Sequence, residues 1–219
     1  MGSIGIWLWS ILLLTACNST TYSTPEIIKI MNTVSIEDNN IQHQQDTAVF
    51  GAGCFWCVEA QFQLLNGVID VKSGYTGGIT ENPTYEQVCT GNTEHAEVVR
   101  IVYNPTTISY DALLQAFFMA HDPTQLNRQG NDIGTQYRSA IYYNSTAQQE
   151  KAKYYIDQLN AANVFPNPIV TEVTKLGTFY PAEAYHDNYY NQNKQQSYCN
   201  MVVTPKVEHF KEVFKAQLK

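Results

Sequence analysis

The 219-residue chain carries 13 Lys+Arg against 20 Asp+Glu, a net charge of −7, and is 44 % hydrophobic and 12 % aromatic. That apolar fraction sustains a core and excludes global disorder, while an acidic chain with no Lys/Arg cluster is no nucleic-acid binder, since neutralising phosphates takes clustered cations. Five cysteines are too few for a disulfide scaffold at this length, and their spacing gives no metal site.

Residues 4–14 are apolar, with the length of a signal-peptide core, and too short to span a bilayer. They run into Leu14-Thr15-Ala16-Cys17, which resembles a bacterial lipoprotein signal in which Cys17 is lipidated and becomes the mature N-terminus. Residues 1–16 hold no Lys or Arg, so an ordinary secretory signal is the alternative. Residues 18–45 are rich in Asn, Gln, Ser and Thr without a sustained period. They read as a polar tether with little packed structure. The expected division is a signal segment over 1–16, a lipidated cysteine and tether over 17–45, and a folded domain over 46–219.

Within that domain, 47–50 reads as a strand ending in the tight turn Gly51-Ala52-Gly53. Phe55, Val58, Phe62 and Leu65 recur at helical spacing, with Gly67 as a C-terminal stop. The β-branched run 98–103 predicts a strand. Ser109 can cap a helix carrying Leu113, Leu114, Phe117 and Phe118. The long polar loop 121–135 is a candidate functional loop. A strand is expected over 137–143, a helix capped by Thr146 with Gln149 through Asn160, and a strand over 169–176. Beyond Gly177 the chain turns Tyr- and Asn-rich and loses periodicity, with a short helix at 206–218. Strands and helices interleave, so the fold class is α+β with a mixed or antiparallel sheet.

The chemistry concentrates at Gly53-Cys54-Phe55-Trp56-Cys57. Cys54 falls where a Gly-rich turn meets a predicted helix. Unpaired N–H groups and the positive end of the helix there favour thiolate and lower the pKa from about 8.5. Cys57 follows one turn later, so Cys54 and Cys57 could form the dithiol of a disulfide oxidoreductase. The bulky Phe55-Trp56 pair between them suits a small apolar substrate group better than an open protein disulfide. Both readings stand on the residues alone, beside a third: a surface lipoprotein that binds peptides through its Tyr-rich C-terminal region.

Gly53-Cys54-Phe55-Trp56, Ser73-Gly74-Tyr75, Asn82-Pro83-Thr84-Tyr85, His95-Ala96-Glu97, Gly130-Asn131-Asp132, Gly134-Thr135-Gln136-Tyr137-Arg138-Ser139, Ala182-Glu183, His186 and Tyr198-Cys199-Asn200 together resemble the class A peptide methionine sulfoxide reductases. The resemblance implies a two-layer α+β sandwich with a ferredoxin-like core and an irregular C-terminal region. It also implies thiol-dependent reduction of methionine-S-sulfoxide, free or in oxidised proteins, with no cofactor. It assigns Cys54 as the nucleophile that becomes a sulfenic acid, Phe55 and Trp56 as the site for the sulfur-bound methyl, and Glu97 as proton donor. Tyr85 and Tyr137 become the phenols that hydrogen-bond the oxygen, and Asp132 a substrate-positioning residue. Cys199 is the favoured resolving thiol, reached after the polar stretch 191–197 swings inward, with Cys57 as the alternative. A thioredoxin-like reductant would reopen the disulfide. Cys89 is read as structural, and the protein is expected to be a monomer at the bacterial cell envelope, touching the membrane only through its lipid. One departure stands out: Glu94 occupies the place where the family pattern has Gly before His-Ala-Glu. If that place needs positive φ the residue is strained, and its charge could push Glu97 toward its protonated form.

Overall fold

The computed structural model describes residues 24–32 and 45–219. The signal segment and Cys17 lie outside the described residues. None of the described helices is long and apolar enough to cross a membrane.

The core grows from one strand. In β1 (Asp46–Ala52) the alternating Ala48, Phe50 and Ala52 enter the main core, while Val49 enters a smaller cluster on the opposite face. Phe50 packs against Phe62 and Phe117 at ring distances of 5.9 and 5.0 Å. These come from helices α2 (Phe55–Phe62) and α4 (Tyr110–Ala120). With β2 (Val68–Thr76), β3 (Ala96–Tyr103) and β6 (Ser139–Tyr143), they form a βαββαβ unit of strand order β6-β1-β3-β2 with antiparallel neighbours. That is the ferredoxin-like arrangement. The fold is therefore α+β, a central sheet flanked by helices.

Two additions widen the sheet. Strand β7 (Glu172–Lys175) lies parallel to β6, which requires a crossover, supplied by α5 (Thr146–Ala161). Strand β8 (Tyr180–Pro181) pairs with the end of β2. Between them Leu176 and Phe179 cover the small far-face cluster. The Arg100 guanidinium sits 4.7 Å over the Phe179 ring.

Several expectations change. Part of the stretch read as tether is helix α1 (Thr24–Asn32), whose Ile27 and Met31 are buried in the main core. Their four-residue spacing puts both on one face, a signal too short to notice in a polar background. Helix α2 ends at Phe62, and Leu65 instead bridges to Leu218. The cap of α5 is Ser145, not Thr146: its Oγ accepts the Gln148 N–H at 3.3 Å. Ser109 does cap α4, accepting from Ala112 N at 3.1 Å. Loop 121–135 contains a small hairpin, β4 (Arg128–Gln129) with β5 (Asp132–Ile133), and Tyr137 ends a 3-10 turn rather than starting β6. Strand β2 and helix α3 (Tyr85–Cys89) had no periodic signature.

The C-terminal region runs through a 3-10 turn (Ala184–His186), α6 (Tyr189–Gln192), a π-helical turn (Cys199–Val203) and α7 (Thr204–Val213). A buried carboxyl pins it down. Glu59, on the inner side of α2, accepts the N–H of Asn188 at 3.1 Å, and beside it Lys72 pairs with Asp187. Burial, with the Asp187 charge adding to it, pushes Glu59 up to about 7 against the Asn188 N–H. A carboxyl raised in the folded state leaves the protein most stable below its unfolded pKa. Stability then falls as pH rises toward 7, because the folded form binds the extra proton. Glu59→Gln keeps the acceptor and discards the charge. In urea titrations it should match wild type at pH 5 and exceed it at pH 8 by roughly 1–3 kcal/mol; equal midpoints at both pH values would contradict the raised carboxyl.

Candidate active site

The site forms where β1 hands over to α2. Gly53 has φ +86, and a Cβ there would lie 2.7 Å from the Gln129 Cβ. Glycine thus lets the β4–β5 hairpin close onto the turn, which carries Asp132 toward Cys54. Cys54 is the N-cap of α2 through its carbonyl, which accepts from Cys57 N at 3.1 Å and Val58 N at 3.4 Å. Its side chain caps nothing and is 6 % exposed.

The exposed N–H of the first turn goes elsewhere. Phe55 N donates to Glu97 Oε2 at 3.1 Å, and Glu97, on β3 opposite Tyr75, is 1 % exposed. The positive end of α2 therefore faces the carboxyl and not the sulfur, which corrects the expected thiolate at Cys54. Burial pushes the Cys54 thiol well above its ordinary range, and neighbouring Cys57 adds to this. Cys57, accepting the hydrogen bond from Cys54, moves down despite its own burial, aided by the Lys206 charge. In the resting site Cys54 is a neutral thiol.

Glu97 is likewise pushed toward its protonated form. Burial and then the proximity of Cys54 raise it well above a normal carboxyl, outweighing the Phe55 N–H. Glu94 plays no part in this. It has φ 58, the strained conformation that the departure from Gly implied, but it is exposed and does not act on Glu97.

Around this pair stand aromatic rings. Phe55 stacks on Tyr85 at 6.3 Å, and Trp56 lies against Tyr189 at 3.9 Å and 8°. Tyr198 meets the indole edge-on at 5.9 Å. Burial, with Glu97 next, raises both Tyr85 and Tyr137, so both phenols keep their protons at neutral pH. Asp132 accepts the Tyr198 hydroxyl at 2.7 Å. The Trp56 indole N–H donates to His186 Nδ1 at 3.0 Å. Indole only donates, so His186 is neutral with its proton on Nε2, in keeping with the burial that lowers its pKa.

Cys199 opens the π-helical turn that precedes α7. It is fully buried and shares one apolar cluster with Cys54 and Cys57, framed by Ala60, Tyr190 and Val203. Cys89 is exposed rather than structural, its thiol within hydrogen-bonding reach of the Tyr85 phenol. The structure thus brings together Cys54, Phe55, Trp56, Cys57, Tyr85, Glu97, Asp132, Tyr137 and Cys199. Sequence reasoning gave no role to His186, Tyr189, Tyr198 or Glu183, which come from the region without periodicity. The Glu183, His186 and Tyr198 positions within quoted motifs were the available signal. Among the described residues, no group of three or more His, Cys, Asp and Glu side chains is placed to hold a metal ion.

Comparison with known proteins agrees with this geometry. A family model described as peptide methionine sulfoxide reductase matches residues 46–218. The chain is 57 % identical over 166 residues to the peptide methionine sulfoxide reductase MsrA of Nautilia profundicola, spanning 76 % of this chain and 94 % of that protein. It is 53 % identical over 168 residues to MsrA of Natronomonas pharaonis, spanning 77 % and 94 %. Among solved structures, reduced Mxr1 from Saccharomyces cerevisiae superposes with a TM-score of 0.67 at 34 % identity, covering 71 % of this chain and 90 % of the other. Methionine sulfoxide reductase A of Corynebacterium diphtheriae gives 0.64 at 41 % identity, covering 71 % and 78 %. The chain belongs to the peptide methionine sulfoxide reductase family.

Exposure and protonation fix an order of thiol reactivity. With substrate absent, iodoacetamide at pH 8 should modify Cys89 before the other cysteines among the described residues and leave Cys54 and Cys199 at least ~10-fold slower, as read by peptide mass mapping. Preferential labelling of Cys54 would mean that its sulfur is anionic at rest.

Proposed function

We propose that this enzyme reduces methionine-S-sulfoxide, free or in oxidised proteins, through a Cys54 sulfenic acid and a Cys54–Cys199 disulfide. The observation that carries the reading is the pairing of a buried thiol with a buried carboxyl, pushed toward its protonated form by that burial, inside an aromatic cup. A sulfoxide oxygen leaves only when protonated, and its sulfur is a poor electrophile until then. Glu97 donates its proton to that oxygen, while the Tyr85 and Tyr137 phenols hydrogen-bond it without changing charge. The rings of Phe55 and Trp56 receive the methyl group. Burying one methyl contributes about 0.8 kcal/mol, so orientation of the S–O bond by the donors supplies the rest of the selectivity, including that for the S epimer.

As oxygen is protonated, the Cys54 thiol gives its proton to the emptied Glu97 and its sulfur takes the oxygen. The sum is Cys54–SH plus sulfoxide giving Cys54–SOH plus methionine. A carboxyl that accepts one proton as it releases another explains why both groups rest neutral. The Cys199 thiol then attacks the sulfenic sulfur, forming the disulfide and releasing water. An external dithiol of the thioredoxin type reopens it by exchange. Cys199 is favoured over Cys57 because it holds the family's resolving position in Tyr198-Cys199-Asn200 and shares the apolar cluster of Cys54; Cys57, hydrogen-bonded to Cys54 with its pKa lowered, is the alternative.

The N-terminal sequence supports an exported enzyme: residues 1–16 as signal, Cys17 as the lipidated residue, 17–45 as a linker bearing helix α1, and 46–219 as the reductase domain. It would act as a monomer held at the cell envelope by its lipid.

Single-turnover reduction of resolved methionine sulfoxide epimers, followed by thiol counting, tests the route. The S epimer should consume two thiols in wild type and one in Cys199→Ser; two in both would assign Cys57. Glu97→Gln should slow the sulfoxide step by ~10²–10⁴-fold, the usual range for a general acid, while leaving dithiothreitol reduction of a preformed disulfide at the wild-type rate.

A further inference from the structure

Glu183 touches none of the reacting atoms, yet several parts of the site converge on its carboxyl. Its Oε1 accepts the backbone N–H of Tyr85 at 2.8 Å. Its Oε2 accepts the Tyr75 phenol at 3.0 Å and lies 3.7 Å from His186 Nε2. That Nε2 is fully buried and makes no hydrogen bond. Because His186 Nδ1 is occupied as acceptor by the indole of Trp56, Nε2 carries the proton, and the Glu183 carboxylate 3.7 Å away is its electrostatic neighbour, beyond hydrogen-bond length. Tyr75 in turn packs its ring on Phe55 at 5.9 Å.

The chain positions are as telling as the distances. Tyr85 opens α3, and Tyr75 lies near the end of β2. Glu183 and His186 belong to the C-terminal segment just after β8. A single carboxylate therefore ties the loop bearing a substrate-facing phenol to the segment that holds the indole. An anion suits this post because every atom facing it is a donor: a backbone N–H, a phenol O–H and an imidazole N–H.

We propose that Glu183 is a positioning residue for sulfoxide reduction, fixing the Tyr85 phenol directly through the α3 backbone and the Trp56 indole through His186. This rests on the reaction proposed above. Glutamine at this position offers one acceptor oxygen, and its amide N–H₂ faces the remaining donors. The placement of Tyr85 and the electrostatic hold on the His186 ring are then no longer enforced, although bulk and shape remain and the Trp56 indole still sets the His186 tautomer. The outcome is a placement error of the kind that costs rate without abolishing chemistry.

The test uses the reduced full chain and free methionine-S-sulfoxide in single turnover, with Glu183→Gln and Glu183→Ala in the wild-type and Tyr85→Phe backgrounds. Glu183→Gln should slow sulfoxide reduction about 10-fold in wild type and less than about 3-fold once the Tyr85 hydroxyl is absent, because effects acting through one group do not add. Glu183→Ala should slow it further. Dithiothreitol reduction of the preformed disulfide should keep the wild-type rate in both variants. A general loss of structure would slow both steps and both backgrounds alike, and would overturn the proposal, as would wild-type turnover in Glu183→Gln. Were wild type itself to leave the sulfoxide unreduced, the reaction, and not the role of Glu183 alone, would fall.

Discussion

The hydrogen bond from the first free N–H of α2 to Glu97 organises the rest of the molecule. A helix start offers a few unpaired donors and a positive partial charge, and a buried acid and a buried thiol both stand close enough to claim them. The carboxyl takes the backbone donor. The sulfur keeps only its neighbours: a second thiol, a tyrosine hydroxyl and apolar walls. The desolvation cost of charge falls on both acids, and their mutual repulsion forbids ionising both at once. Both groups are thereby pushed toward their protonated forms, which suits the two positions the proposed reaction must serve: the departing oxygen and the attacking sulfur.

The rigid and irregular parts of the fold divide the work. The ferredoxin-like unit supplies Cys54, Phe55, Trp56, Glu97 and the two phenol-bearing turns at one end of its sheet. It leaves the indole and the sulfur open on one side. The C-terminal segment closes that side with Tyr189 stacked on Trp56, His186 bonded to its N–H and Tyr198 bridged to Asp132. Carboxylates act as the fasteners: Glu59 to the Asn188 backbone, Glu183 to the Tyr85 backbone. An acidic chain with few cations uses backbone N–H groups as their partners in place of arginine.

What the sequence revealed follows from what kind of order each part has. Phe55, Val58 and Phe62 repeat with the helical period and bury one face, so α2 was legible, as were β3 from its β-branched run and α4 from its cap. Strand β2 was hidden because its apolar/polar alternation over Ile69–Lys72 is short and stops at Ser73-Gly74, and its register shifts between Val68 and Asp70. Helix α1 was hidden by its polar surroundings. The site divides similarly. Cys54, Glu97, Tyr85 and Tyr137 were found through motif positions, but their protonation was not. The N-terminal position of Cys54 argued for thiolate, and nothing local in the sequence says that a carboxyl 43 positions later intercepts the helix donor. Long-range competition for a single N–H has no periodic trace.

The burial of the second thiol also sets how the cycle must run. Cys199 is fully buried in the cluster that holds Cys54, so the proposed disulfide would form inside the protein, away from solvent. Its reduction is different in kind. Exchange demands attack by an outside sulfur on one of the two bonded sulfurs, and neither is open to solvent at rest. The Cys199–Val203 turn is π-helical, a winding that spends hydrogen-bond quality and recurs at functional sites. It is followed by Thr204, whose hydroxyl bonds back to the Cys199 carbonyl at 3.0 Å. On the proposed route, the sulfoxide step exploits a closed cup, whereas regeneration requires an outside sulfur to reach one that is buried at rest.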